Sequence, residues 1–422
     1  MTVGGCACPF ASRRALLAAT AGLAGAIAGH RARADTTPAP AAAAERVPFR
    51  GAHQAGILTP QQSHVSFAAF DVTAPHRAAL IALLRIWTEA AERLTAGATA
   101  APLGADVSQP GADSGEALGL GAARLTLTFG FGPGLFEQNG ADRFGLAALR
   151  PSALVELPRF NGDQLVPERS DGDLAVQACA DDPQVAFHAI RQLARLAAAA
   201  ARLRWVQAGF LPRAPAGETP RNLMGFKDGT NNPSAADAAA VVWAGAEAPS
   251  WMQGGSYLVA RRIRIALEHW DRTGIDFQEQ TMGRRKYSGA PLGAHHEFDP
   301  LPLDATDADG NPVIAENAHV RLGAPASHGG TRLLRRGYAY DDGVSVTAER
   351  WPPWRQGLAY DAGLFFLAYQ RDPRDGFIRI FETMAKLDAL NQFTTHTGSA
   401  VFACPRGIQT GEFIGAALFA SG

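Results

Sequence analysis

Residues 174–203 read LAVQACADDPQVAFHAIRQLARLAAAAARL. The first seven, Leu174–Ala180, are an apolar run of strand length. Asp182 then stands where a helix cap belongs, with Pro183 at the first helical position. The spacing predicts a strand, a strong helix to about Leu203 and a short returning strand over Trp205–Phe210.

Upstream, His64–Val72 alternates as a strand, Pro75–Leu94 has helical periodicity, and Arg124–Gly130 alternates again. Gly209–Arg221, with three prolines, separates two halves, and the order then repeats. Ser256–Leu267 reads as a strand and Glu268–Met282 as a helix. Leu334–Tyr340 and Gly363–Gln370 read as strands, Asp375–Leu390 as a helix and Ser399–Ala403 as a strand. Strand–helix–strand–strand–helix–strand, twice, is the split βαβ, ferredoxin-like plan: an α+β fold with antiparallel sheets covered by helices on one face. One larger α+β domain is the other reading that these elements allow. The expected organisation is a leader over 1–34, a low-complexity linker over 35–47, an N-terminal domain over 48–215 and a C-terminal domain over 216–422. Residues 95–119, rich in Gly, Ala and Pro, are expected to form a surface loop.

The composition narrows the function. With 47% hydrophobic and 19% charged residues, the 422-residue chain is neither disordered nor collagen-like. Four cysteines exclude a disulfide-stapled miniprotein. Only three of the 39 basic residues are lysine (Lys227, Lys286, Lys386), a bias that does not by itself indicate a nucleic-acid surface.

Residues 1–34 hold Arg13, Arg14, Arg31 and Arg33 and no acid. The Arg13-Arg14 pair precedes a weakly apolar run from Ala15 to Gly29, and Ala32-Arg33-Ala34 fits a cleavage site. This reads as a twin-arginine export signal, placing the mature chain in the periplasm or outside the cell. The alternative, a membrane anchor, needs about 20 apolar residues, more than this run offers, so no stable anchor is expected. Removal leaves 35 basic and 40 acidic residues, a balance that argues against nucleic acid or anionic lipid as partner. Twin-arginine export carries folded proteins, often with a cofactor already inserted, and its machinery is an expected partner. Cys179 and Cys404 remain, and their pairing is open.

Three segments carry candidate chemistry. Asn222-Leu223-Met224-Gly225-Phe226-Lys227-Asp228-Gly229-Thr230-Asn231-Asn232-Pro233 is either a plain Asp-Gly turn or a loop in which glycines let the backbone approach a flat ligand. Glu316–Pro325 contains His319, a lone histidine with no HxxxH or CxxC pattern around it. If it binds a metal, single-histidine ligation to a macrocycle fits better than a protein cage. Thr331–Tyr338 contains Arg335 and Arg336, which alternation sends to opposite faces; both are solvated, or one points inward toward an anion. No GxSxG, HExxH or Walker A sequence is present.

Together these segments resemble the dye-decolorizing peroxidase family, haem enzymes of two ferredoxin-like domains. NLMGFKDGTNNP resembles its GxxDG signature, AHVRLGAP the segment of the proximal histidine, and LLRRGYAY, 16 residues beyond His319, that of the distal arginine. Similarity extends to Gly51–Ile57, Thr128–Phe136, Ser288–Gly293 and Gly363–Gln370, so it spans nearly all of residues 48–422. The leader points to the exported, deferrochelatase/peroxidase-like branch.

The resemblance implies one haem b per chain, in a pocket of the C-terminal domain, with His319 as axial iron ligand. It makes Asp228 the distal acid–base residue and Arg335 the distal cation, with Arg335 also touching the cofactor. Gly229, Thr230 and Asn231 would line a haem face, and Ala324, Pro325 and Ala326 a haem edge. Relatives often carry Asn-Pro-Arg where this chain has Ala324-Pro325-Ala326, so propionate binding must come from elsewhere, with Arg284 a candidate. Glu382 and Asp388 are candidates for the carboxylate behind the proximal imidazole. The implied partners are hydrogen peroxide and a small-molecule reductant, and relatives often form homo-oligomers. An aspartate ordinarily titrates near ~3.9 and a histidine near ~6.5, so aspartate as proton acceptor implies an acidic optimum. Bulky dyes would need electron transfer through surface aromatics. Tyr338, Tyr340, Trp351 and Trp354 cluster near Arg335, and packing is the favoured reading of them. Two other functions compete: haem handling in iron acquisition with incidental peroxidase activity, and a secreted hydrolase without cofactor.

Overall fold

The computed structural model describes residues 45–420 apart from 107, 216 and 349–355. The leader and most of the linker, 1–44, lie outside the described residues, as do Trp351 and Trp354.

The first half contains β1 (His64–Val72), α1 (Arg77–Thr95), β2 (Thr126–Phe131), β3 (Leu174–Ala180), α2 (Pro183–Ala197) and β4 (Ala201–Phe210). The second contains β5 (Ser256–Ile265), α3 (Ile275–Met282), the single-turn α4 (His319–Leu322), β6 (Leu334–Arg335), β7 (Tyr338–Ala348), β8 (Gln356–Gln370), α5 (Arg379–Leu387) and β9 (Thr394–Cys404). β1 and β3 occupy the spans that the sequence predicts. Beyond the end of α1 at Thr95, the described residues of 96–119 contain no regular element.

Strand order supports the duplication. The first half pairs as β2-β3-β1-β4 and the second as β7-β8-β5-β9, antiparallel throughout. In each half the second strand lies outermost, then the third, first and fourth, the ferredoxin-like order. The halves join through two one-residue seams, Phe131 opposite Ala403 and Phe210 opposite Ala339. The pairings therefore close into a circuit, with the short β6 hung on β8.

The first half is filled by its helices. The side chain of Asp182 caps α2 by accepting from the amides of Gln184 and Val185. Trp87 of α1 is fully buried, meets Phe70 edge-on at 5.2 Å and donates its indole N–H to the carbonyl of Leu193 at 2.9 Å.

Three elements differ from expectation. Helix α2 ends at Ala197, not near Leu203, because β4 starts at Ala201 and pairs with β1 over its whole length. Strand pairing overrides the helix propensity of the alanine run. The helix expected over Glu268–Met282 is two pieces, Leu267–Trp270 and α3, broken at Asp271–Gly274. The strand expected over Leu334–Tyr340 kinks at Arg336-Gly337, while β7 and β8 run on as a long hairpin. Cys179 and Cys404 are buried free thiols in one apolar cluster. Tyr338 and Tyr340 are fully buried, and Tyr338 donates to the Cys179 sulfur at 3.4 Å. No helix among the described residues is long and apolar enough to cross a membrane.

Candidate active site

A cavity of about 490 Å³ lies in the second half, within the range typical of cofactor sites. Ile263, Leu364, Phe366, Phe381 and Met384 give it apolar walls, and two polar groups converge on it from different elements.

On one wall, α4 presents His319. Its Nδ1 pairs with Oδ2 of Asp388 at 2.7 Å. Asp388 is buried just past α5, and its other oxygen accepts from the amide of Leu390 at 2.8 Å, which fixes the carboxylate. With Nδ1 so held, Nε2 is the nitrogen left for the cavity. Burial pushes the His319 imidazolium down, but the charge and hydrogen bond of Asp388 outweigh it and hold the pKa above the ordinary value. The charge of Asp228 reinforces that rise and Arg335 opposes it, so both are electrostatically close to His319.

In the same lining, Arg335 donates from Nη1 to Oδ1 of Asp228 at 3.0 Å. The local fold explains the meeting. Asn222 accepts from the amides of Met224 and Phe226, turning the chain through Gly225 at φ +83°. Gly229 sits at φ +118°, a conformation that side-chain-bearing residues rarely adopt, immediately after Asp228. Asn232 then ties this loop to β6: its carbonyl accepts from Arg335 N at 3.0 Å and its amide donates to Arg335 O at 2.7 Å. Below the loop, Lys227 bridges Glu218 at 2.6 Å and the buried Glu297 at 2.5 Å. Glu297 also accepts from Thr219 N at 3.2 Å and Thr230 Oγ1 at 3.4 Å. Burial pushes the Glu297 carboxyl up, but Lys227 and Thr219 outweigh it and hold it below the usual range.

The structure thus brings His319, Asp228 and Arg335 to one cavity, with Gly229, Thr230, Asn231, Ala324 and Pro325 in its wall. Ala326 is exposed on the short turn Pro325–His328 and is not part of the wall. Of the two carboxylates considered behind His319, Asp388 makes the contact; Glu382 is exposed on α5. The Asn232 and Glu297 braces were not foreseen. Asn232 stands within the quoted motif, whereas Glu297 lies 70 residues from Lys227 and carries no local signal.

Comparison with known proteins agrees with this geometry. The sequence model of the Dyp-type peroxidase N-terminal domain matches residues 54–211, and that of the C-terminal domain matches residues 219–409. The chain belongs to the DyP-type peroxidase family. It is 39% identical over 391 residues to a dye-decolorizing peroxidase of Thermobifida fusca (strain YX), covering 88% of this chain and 85% of that one. It is 37% identical over 428 residues to a deferrochelatase of Escherichia coli (strain K12), covering 96% of each. Among solved structures, ferric DtpA from Streptomyces lividans superposes with a TM-score of 0.80 at 40% identity, covering 90% of this chain and 99% of that one. The family's fold is two ferredoxin-like domains, and its cofactor is haem. The residues present fit that group: a largely apolar cavity, one imidazole with one ring nitrogen anchored by a carboxylate, and a carboxylate–guanidinium pair lining the same cavity. Among the described residues no cluster of three or more metal-ligating side chains offers another metal site.

Proposed function

We propose that this haem peroxidase binds one haem b through Nε2 of His319 and uses Asp228 and Arg335 to reduce hydrogen peroxide, oxidising dye-like, phenolic or porphyrin donors. One observation carries the reading: the His319–Asp388 and Asp228–Arg335 pairs share one largely apolar cavity. Haem, when bound, supplies the redox-active iron at which peroxide is reduced. Asp388 accepts from Nδ1 and makes the imidazole a stronger electron donor at Nε2. Asp228 has one oxygen engaged by Arg335, and its second carries a proton from one peroxide oxygen to the other. Arg335 stabilises negative charge on the departing oxygen and is itself positioned by Asn232. Gly229, Thr230, Asn231, Ala324 and Pro325 line the cavity and would help to hold the cofactor. A carboxylate as proton acceptor implies an acidic optimum.

The domains are assigned as 48–215 and 216–422 after a linker over 35–47, supported by the two family matches. The basic, acid-free leader with Arg13-Arg14 supports twin-arginine export to the periplasm or beyond. The deferrochelatase likeness over 96% of the chain supports a second reading, iron release from haem with incidental peroxidase activity. Both readings need His319. Only the first needs Asp228 for its biological role, so iron release that survives Asp228→Asn favours the second. The direct test of either is the absorption spectrum of the purified protein before and after peroxide. A Soret band is expected, and His319→Ala should remove or strongly weaken it; an unchanged band in that variant overturns the assignment.

A further inference from the structure

Helix α4, which presents His319, is a single turn, His319–Leu322. One turn fixes several residues for little hydrogen bonding in return, so it persists only where its ends are held. Its last carbonyls need donors from beyond the helix. The amide of Gly323 donates to His319 O at 2.9 Å. Two side chains of the turn Pro325–His328 serve the next carbonyls. Ser327 Oγ donates to Arg321 O at 2.6 Å, and His328 Nε2 donates to Leu322 O at 2.5 Å. A carbonyl can only accept, so Nε2 of His328 carries a proton.

The two caps are not equivalent. Ser327 is exposed, and water can take the place of its hydroxyl. His328 is 5% exposed and Leu322 is buried, so a bond lost there leaves a carbonyl unsatisfied. Gly329 at φ +64° and Gly330 at φ +88° reverse the chain after His328, and Gly330 N donates to Pro325 O at 2.8 Å. The other end of α4 has its own tie: Ala389 N donates to Asn317 O at 3.0 Å, one residue past Asp388. The His319–Asp388 contact spans two elements and lasts only while their spacing is kept.

We infer that His328 is a positioning residue for the axial ligand. Its bond to Leu322 O keeps α4 wound, and a wound α4 keeps the His319 imidazole where Asp388 holds Nδ1. His328 does not line the cavity and acts through His319. The inference rests on the reading that His319 ligates haem.

The test compares the holoenzyme with His328→Leu, which has no donor, and His328→Gln, which keeps one. Resonance Raman of the ferrous proteins reads the iron–histidine stretching band, and transfer to excess apomyoglobin reads haem release. His328→Leu should move the band to lower frequency, because a weaker Asp388 bond makes the imidazole a poorer donor. It should speed release roughly 3- to 10-fold. His328→Gln should keep the wild-type band and release within about two-fold. An unmoved band in His328→Leu overturns the inference even if release quickens, because general loosening alone can speed release. A His328→Gln protein that behaves like His328→Leu also overturns it, since the bond would then not be what matters. Should His328→Leu fail to fold, His328→Gln decides: wild-type band and release sustain the inference, and a shifted band overturns it. A wild-type chain without a His319-dependent Soret band overturns the functional reading and this inference with it. With that band present, the outcome bears on His328 alone.

Discussion

The two halves share a strand order but not an interior. In the first, the sheet is covered by helices of 19 and 15 residues. Their apolar stripes bring Leu80, Leu83, Trp87 and Leu193 onto Phe70, Phe129 and Val176, and the space is filled. In the second, the first corresponding helix has only 8 residues, and the second has 9 α-helical residues continued from a five-residue π-helical turn, Arg374–Ile378. Ile263, Leu364 and Phe366 of the sheet then face a cavity instead of a second layer of side chains. A core and a cofactor site are thus alternative uses of one layer between sheet and helices.

The comparison makes separable predictions. The largest effect is expected in the second half: Asp228→Asn should slow the reaction of the holoenzyme with peroxide by roughly 10²–10⁴-fold, followed by stopped-flow absorbance. Its Soret band and thermal midpoint should stay near wild type; loss of the band would mean that Asp228 holds the fold instead of the proton. Trp87→Ala should do the reverse. Removing the fully buried indole should cost roughly 3–5 kcal/mol in denaturant unfolding, with the peroxide rate constant nearly unchanged in the protein that remains folded. A rate that falls with it would show that the first half tunes the chemistry. Asp388→Asn should weaken haem retention or activity by roughly 10- to 100-fold, read by haem transfer and by the peroxide rate.

The smallest effect concerns His396. Its Nδ1 accepts from the buried Arg261 at 3.0 Å, and burial together with the charge of Arg261 holds its pKa well below the ordinary value. The folded chain therefore leaves this histidine neutral where the unfolded chain protonates it. Its contribution is fully present above the ordinary value near ~6.5 and is lost as pH falls below that. The slope is at most about 1.4 kcal/mol per pH unit, and stability measured against pH should show it flattened in His396→Gln. An identical slope in that variant would assign acid sensitivity to other groups.

What the sequence revealed, and what it hid, follows the same division. β1, β3 and the Asp182-Pro183 helix start were legible because apolar pattern and local capping agree there. The far end of that helix was not, since nothing in a run of alanines marks where pairing with β1 takes over. His319, Asp228 and Arg335 could be named only through the family resemblance of their segments; read alone, Asp228 fits a plain turn, His319 is a lone histidine and Arg335 could be solvated. Their supports were harder to see. Asp388 was one of two carboxylates considered on the last helical segment, and only the turn beyond α5 distinguishes it from Glu382. Glu297 was invisible because its role exists only where Thr219, Lys227 and Thr230 are folded together around it.

The circuit of strands has a consequence for the chain as a whole. Open sheet edges present unpaired amides and carbonyls to any neighbouring chain and can template aggregation. Here β2 meets β9 at one residue pair and β4 meets β7 at another, so each half closes part of an edge that the other would leave bare. Severing the chain between residues 211 and 219 and separating the pieces would open both seams at once. Neither fragment should therefore be well behaved alone, and the duplicated halves are better regarded as one obligate unit than as two portable modules.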